Sequence, residues 1–437
     1  MRICVVGLWH LGTVTAACLA TFGHTVVGFD FDTETVQKLQ GARPPLFETG
    51  LEDLVRSGLA STRLRFTNSV ADALSDAEVV WVTYDTPVDD DDQADVPFVF
   101  ERVKQLFAHL AEETLVLISS QVPVGTTRRL EQAYATCYPN GAVTFGYLPE
   151  NLRLGTAIST FMRPDRVLAG VRTKLDRERV AALLSPFADR IEWMSVESAE
   201  MAKHALNAFL ATSIAFINEV ATLCEEVGAD ALEVERALRS DARIGPQAYL
   251  SPGSAFAGGT LARDLSYLAQ IGAACSHPVF LLSAVRKSND AHKLWVCLRL
   301  QAILGDLRGQ RVAVWGLTYK PGTDSLRRSS SVELCRWLTH QGAQVRAHDP
   351  AIQELPEHLA KEFALCSSAL LALDAATALV VATGWPDYRL LSPEAVLAAM
   401  RVPLVLDPNR FLCSTLGSDP RIRYVSVGRG NYDARLP

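Results

Sequence analysis

Six residues near the start of the chain, Gly7-Leu8-Trp9-His10-Leu11-Gly12, stand where a dinucleotide-binding fold carries its glycine-rich turn. They follow the apolar run RICVV (residues 2–6) and precede a segment of small residues, so the turn lies between a strand and a helix. Such a turn directs backbone amides and the positive end of a helix at a diphosphate. Gly7 and Gly12 occupy the first and last glycine positions, while Trp9 takes the middle one, where a bare backbone normally admits the pyrophosphate. Asp30 closes the next apolar run, TVVGF, where a carboxylate can hold ribose hydroxyls. With Asp32 beside it, it repels a 2′-phosphate, which predicts NAD and not NADP. Read alone, the turn suits NAD binding and a plain strand–helix connection equally.

Lys203 and Asn207 lie four apart in residues 197–227, a stretch with no proline or glycine and with apolar residues at helical spacing. Both side chains therefore leave one face of a long helix. In many helices such a pair is simply two solvated polar groups. His10 reads as a loop residue, His204 as an exposed helix residue, and the acidic run 89–92 as a solvated loop.

The elements that must position these residues alternate. Apolar runs AEVVWVTY (77–84), ETLVLISS (113–120) and AVTFGYLP (142–149) are spaced for intervening helices, which predicts a parallel, doubly wound α/β sheet. A second helical stretch, 278–307, leads to Gly309 and to RVAVWG (311–316), where a strand–helix–strand pattern reopens and continues to PLVLDPNRF. Two Rossmann-like domains joined by a long helix and a helical middle are therefore expected, divided at 1–196, 197–308 and 309–437.

The composition bounds the function. With 437 residues the chain exceeds one core, and 49% hydrophobic against 21% charged residues is the balance of a globular protein. A net charge of −7 leaves no footprint for nucleic acid. No run of eighteen apolar residues occurs, so no membrane span is expected, and the N-terminus, lacking a basic region and cleavage site, predicts a cytoplasmic protein. Nine cysteines show no C-x-x-C pair and no metal spacing, which predicts reduced core thiols and no metal site.

Further motifs extend over nearly the whole chain: RPPLFETGL (43–51), Thr86-Pro87 with the loop ending Gln93-Ala94-Asp95, VPVGTT (122–127), Pro149-Glu150, Pro164-Asp165-Arg166, AEMAKHALNAFLA (199–211), FINE (216–219), ARIGPQAYLSPG (242–253) and GLTYKPGTDSLR (316–327). In this order they resemble the UDP-glucose/GDP-mannose dehydrogenases. The resemblance implies an N-terminal NAD-binding domain, a central dimerisation domain and a C-terminal nucleotide-sugar domain. It places Gly7, Trp9, Leu11, Gly12, Asp30, Thr86, Pro87 and Gln121 at the cofactor. Lys203 and Asn207 become donors to the oxyanion that develops on the sugar carbon, a role suited to preorganised groups. Arg243, Tyr249, Gly253, Phe256, Lys320 and Arg327 fall where the family grips the nucleotide diphosphate sugar, with the arginine often supplied by the partner subunit. Guanidinium groups suit such phosphates.

The active-site signature departs from the family's approximate G-F-G-G-S-C-F-P-K-D. Here it reads Ala255-Phe256-Ala257-Gly258-Gly259-Thr260-Leu261-Ala262-Arg263-Asp264, so Thr260 stands at the catalytic cysteine and Arg263 at the lysine. Gln121 replaces a threonine, and Leu154 replaces the second glutamate of the P-E-F-L-R-E-G motif, while Glu150 and Asp264 remain. The family oxidises a primary alcohol twice through a thiohemiacetal and a thioester, for which a threonine hydroxyl is no substitute. The expectation is an NAD-dependent two-electron oxidation of a UDP-sugar by a homodimer, with Asp264 or Glu150 orienting water or accepting a proton. Two alternatives stand beside it: transient oxidation within an epimerisation, or a non-catalytic nucleotide-sugar-binding relative.

Overall fold

The computed structural model describes residues 1–87, 95–150, 152, 154–257 and 259–429. The acidic run 89–92, Gln93, Ala94 and Gly258 lie outside the described residues. The chain forms two compact units, Met1–Ala205 and Leu206–Pro437.

The first unit is built on an eight-stranded sheet of order β3-β2-β1-β4-β5-β6-β7-β8. The strands are β1 (Arg2–Val6), β2 (Thr25–Phe29), β3 (Leu64–Thr67), β4 (Val79–Val82), β5 (Leu115–Ile118), β6 (Thr144–Tyr147), β7 (Val167–Gly170) and β8 (Ile191–Met194). Strands β4 and β5 are buried along their whole length, as a sheet covered by helices on both faces requires. The order of the first six strands is the doubly wound one, whose carboxyl edge holds the ligand. The sheet is not wholly parallel, as the sequence predicts, because β6 and β7 meet antiparallel at Tyr147 and Gly170. Glycines make that junction possible: a Cβ on Gly146 would sit 3.0 Å from the Gly170 carbonyl oxygen, and one on Gly170 would sit 2.7 Å from Ala199 Cβ. Strands β3, β7 and β8 carry no apolar run long enough to announce them, β8 being IEWM with every residue only partly buried.

In the second unit six parallel strands run in the order β11-β10-β9-β12-β13-β14. They are β9 (Arg311–Trp315), β10 (Gln344–His348), β11 (Ala364–Leu365), β12 (Ala378–Val381), β13 (Leu404–Leu406) and β14 (Arg423–Val425). Helices Ala231–Ser240, Gly259–Ala274, Phe280–Lys293 and Trp295–Leu304 precede the sheet. The single helical stretch expected over 278–307 is two helices that meet at Leu294, with the Trp295 indole donating to the buried Glu225 carboxylate at 2.9 Å.

One 32-residue helix, Val196–Val227, begins in the first unit and continues in the second. It is long and apolar enough to cross a membrane by length and composition. Its buried positions nevertheless include Glu200, Lys203, His204, Asn207 and Asn218, each in a hydrogen bond described below. His204 is fully buried, contrary to its reading as an exposed residue, because its ring reaches the Val122 carbonyl.

Candidate active site

At the turn after β1, Gly7 has φ +92° and donates its N–H to the Phe29 carbonyl at 2.9 Å. A Cβ there would lie 2.7 Å from the Tyr84 ring, and one on Gly12 would collide with the Gly7 carbonyl oxygen. Both glycines are therefore required by backbone conformation and close helix–strand packing. Trp9 is different: its φ is −73°, which any residue adopts, and its indole is 47% exposed. The helix His10–Thr21 starts at Trp9 with no side-chain cap, so its first-turn amides, including that of the half-buried Leu11, have no capping side chain from Trp9. Asp30 is half-buried; one oxygen accepts from Leu8 N at 2.7 Å and the other from Asp32 N at 3.0 Å. An uncapped helix start, a glycine cradle and a carboxylate at the next strand end fit NAD.

His10 is not a loop residue but the first residue of that helix, and it meets the buried Glu48 at 3.0 Å. Glu48 also accepts from Gly155 N at 2.6 Å and Ala157 N at 2.9 Å, which caps the helix Ala157–Met162. The segment after Glu150 is thereby tied to the segment 43–51.

The loops at the carboxyl edge of β4, β5 and β6 carry the other predicted positions of this unit. Thr86 is buried, and its hydroxyl donates to the Gln121 carbonyl at 2.7 Å, so these two are brought together; Pro87 beside them is exposed. Lys203 is buried and its ammonium donates to the Glu150 carbonyl, with Glu150 Oε1 at 3.9 Å. Glu150 Oε2 accepts from Leu152 N at 2.7 Å. Glu200, one turn before Lys203, is fully buried and accepts from Gly125 N, Thr127 N and the Thr127 hydroxyl. Burial pushes its carboxyl above the usual carboxylate range, against the pull of those hydrogen bonds.

In the second unit the buried Asn207 donates its amide to the fully buried Asp264 carboxylate, on the helix Gly259–Ala274. Arg263 beside it is buried, while Thr260, in the first turn of the same helix, is exposed. The loop carrying Gly253 and Phe256 is held from several elements. Gly253 N donates to Asn218 Oδ1 at 3.0 Å, and its carbonyl meets His292 Nε2 at 2.8 Å. Asn409 Oδ1 accepts from Ser254 N at 2.8 Å, and Asn289 exchanges two hydrogen bonds with the Phe256 backbone. A Cβ on Gly253 would sit 2.5 Å from Asn409 Oδ1, so the loop packs here only with glycine. Arg243 and Tyr249 are exposed, Arg243 pairing with Asp241 at 2.6 Å. Lys320 and Arg327 lie in the loop that follows β9, Lys320 with its ammonium 5.6 Å from the Tyr319 ring.

Among the described residues no cluster of three metal-binding side chains occurs. All nine cysteines are free thiols, and burial pushes those of Cys18 and Cys297 up to about 12 and about 11, away from thiolate chemistry.

Comparison with known proteins matches three consecutive models of one family. Residues 1–188 match the NAD binding domain of the UDP-glucose/GDP-mannose dehydrogenase family, 197–291 its central domain and 313–413 its UDP binding domain. The chain belongs to that family. It is 35% identical over 443 residues to the UDP-glucose 6-dehydrogenase of Pseudomonas aeruginosa, covering 98% of both chains. To the Rhizobium meliloti UDP-glucose 6-dehydrogenase it is 34% identical over 436 residues, covering 98% of this chain and 100% of that one. The UDP-glucose dehydrogenase structure from Pyrobaculum islandicum superposes with a TM-score of 0.88 at 29% identity, covering 98% of each chain.

As a member of the UDP-glucose/GDP-mannose dehydrogenases the protein is an NAD-dependent oxidoreductase of nucleotide sugars. Several residues that build its sites escape a reading of the sequence. Glu48 and Asn218 fall inside the family-like segments RPPLFETGL and FINE, so the stretch is marked but not the atom. Asn289, His292 and Asn409 stand in no motif, and their roles follow from contacts across 33 to 155 positions of chain.

Proposed function

We propose that the protein oxidises the sugar of a UDP-sugar by a single two-electron step. The observation that carries this reading is Thr260, at the position of the family's nucleophilic cysteine, in a sequence that keeps Glu150, Lys203, Asn207 and Asp264. NAD, when bound, supplies the acceptor for the hydride that leaves the sugar carbon. Lys203 and Asn207 donate to the oxygen as the carbonyl forms, Asn207 being oriented by Asp264. Glu150 accepts the hydroxyl proton at Oε1, the oxygen that Leu152 N does not hold. The products are an aldehyde, NADH and one proton.

A second oxidation needs a nucleophile to hold the aldehyde and a base to activate water. A hydroxyl stays protonated near neutrality, and Leu154 offers no carboxylate. Incubation with NAD and a panel of nucleotide sugars, with NADH counted and products weighed by mass spectrometry, tests the proposal. One NADH per sugar at most and no carboxylate are expected, and Thr260→Cys alone gains little acid-forming activity. Two NADH per sugar and a carboxylate product from the unmodified protein would overturn it.

The working form is a homodimer in the cytoplasm, with Arg243 completing the partner's site. Phe209, Phe216, Leu223 and Val227 are exposed along the helix Val196–Val227 with relative accessibilities of 49–69%, a row that a second copy would cover. The free thiols suit a reducing compartment. A concentration-independent monomer mass in sedimentation rejects the dimer.

A further inference from the structure

We infer that Glu200 is a positioning residue that sets the cofactor-facing loop 121–127 against Lys203 by acting as a helix cap from a distance. The inference rests on the reading that Thr86 and Gln121 face NAD. The helix Thr126–Cys137 starts after Gly125, which has φ +91° and no side chain with which to cap it, and no acidic residue stands in its first turn. The cap comes instead from Glu200, 75 positions along the chain: Oε2 accepts from Gly125 N at 2.5 Å, and Oε1 from Thr127 N at 2.9 Å and Thr127 Oγ1 at 2.7 Å. A carboxylate there satisfies orphan amides and complements the positive helix end.

One turn later His204 meets the Val122 carbonyl at 2.9 Å, while Thr86 holds the Gln121 carbonyl at 2.7 Å. The loop is thus fastened at 121, 122, 125 and 127. Between Glu200 and His204, on the same two turns, Lys203 holds the Glu150 carbonyl. One rigid helix therefore fixes the ammonium and two loops in a single frame, so the loop cannot shift without losing bonds to the helix that presents the donor. An amide cannot take over at position 200. Gly125 and Thr127 use different oxygens, so one N–H would face an NH₂ group and stay unsatisfied while buried.

The test is Glu200→Gln in the full chain, with NAD affinity, turnover and affinity for UDP measured separately. We expect at least a tenfold loss of NAD affinity and of kcat, with UDP affinity within twofold of the unmodified protein. Thr127→Val removes only one donor and shifts NAD affinity by twofold to fivefold in the same direction. His204→Gln, which keeps a donor for the Val122 carbonyl, recovers most of what His204→Ala loses. Unchanged NAD affinity in Glu200→Gln, or an equal loss of UDP affinity, overturns the proposal. Should Glu200→Gln fail to fold, Thr127→Val and the two His204 variants decide it by the same readouts. An unmodified protein that does not bind NAD breaks the functional reading itself, whereas NAD binding that Glu200→Gln leaves intact breaks only this proposal.

Discussion

The turns that follow β1 and β9 use the same backbone device for different ends. In each, a glycine with left-handed φ, Gly7 at +92° and Gly316 at +88°, donates to the last residue of the neighbouring strand. In each, the next leucine N–H, Leu8 or Leu317, donates at 2.7 Å to an aspartate just past that strand, Asp30 or Asp349. The likeness ends there. Asp30 is half-buried and the helix that follows the Gly7 turn starts uncapped at His10, so carboxylate and amides remain available to a dinucleotide. Asp349 is buried, and its Oδ2 also takes Thr318 N, Thr318 Oγ1 and the Trp385 indole. The helix Ser330–His340 is capped by Ser329, and the loop before it carries Lys320 and Arg327. A closed turn with cations on its loop suits recognition of phosphate by side chains rather than by a helix end. Two copies of one supersecondary unit thus diverge by whether the carboxylate is spent inside the protein.

The most damaging way to break this comparison is Gly12→Ala. The added methyl meets the Gly7 carbonyl oxygen and the Thr83 hydroxyl, neither of which can move without dislodging β1. We expect a loss of at least about 3 kcal/mol in denaturant unfolding and no measurable NAD binding. An alanine variant that binds NAD normally refutes the close packing.

Exchanging the aspartates sharpens the contrast. Asp349→Asn is expected to cost about 2 kcal/mol of stability, because a buried charged acceptor with several donors is replaced by a half-matched amide, while NAD affinity stays within twofold. Asp30→Asn is expected to do the reverse, weakening NAD about tenfold, roughly 1.4 kcal/mol, with little effect on unfolding. Calorimetric NAD titration together with urea unfolding separates the two outcomes. The same effect from both substitutions would end the distinction.

Trp9→Gly should be gentler. Trp9 has an ordinary φ and an exposed indole, and glycine is acceptable at a helix N-cap. NAD affinity should be equal or tighter, since a side chain at the middle glycine position hinders close approach of the pyrophosphate to the backbone. A clear loss of affinity would mean that the ring is itself a contact for the cofactor.

The smallest effect concerns acid stability. Glu197 accepts from Arg172 and Arg128, and the Arg172 guanidinium holds its carboxyl at about 2, below the usual 4.5. A depressed carboxylate stabilises the fold above its unfolded value and loses that contribution as pH falls from about 4.5 toward about 2. Thermal unfolding of Glu197→Gln should therefore lie slightly below that of the unmodified protein at pH 7 and approach it near pH 2. Parallel curves over that range would show that the pair contributes nothing.

Much of the molecule is legible from residue order because its strongest signals are local. Apolar runs of four or five residues fix where β1, β2, β4, β5 and β9 lie, since a strand buried on both faces cannot carry polar residues. A stretch of 31 residues free of proline and glycine is a helix for equally local reasons. Gly7, Gly12 and Asp30 were readable as a turn, and Thr260 and Leu154 as departures, because the type of a side chain is a fact of sequence. What only the tertiary structure decided is which groups are spent. Asp30 and Asp349 look alike in the chain, and burial alone makes one available and the other structural. His204 reads as an exposed helix residue, and nothing in the sequence singles out Glu200, until the loop 121–127 folds against them. Hydrogen bonds between positions 35 to 155 apart leave no periodicity in the sequence, and desolvation, which gives them their weight, is a property of the packed molecule.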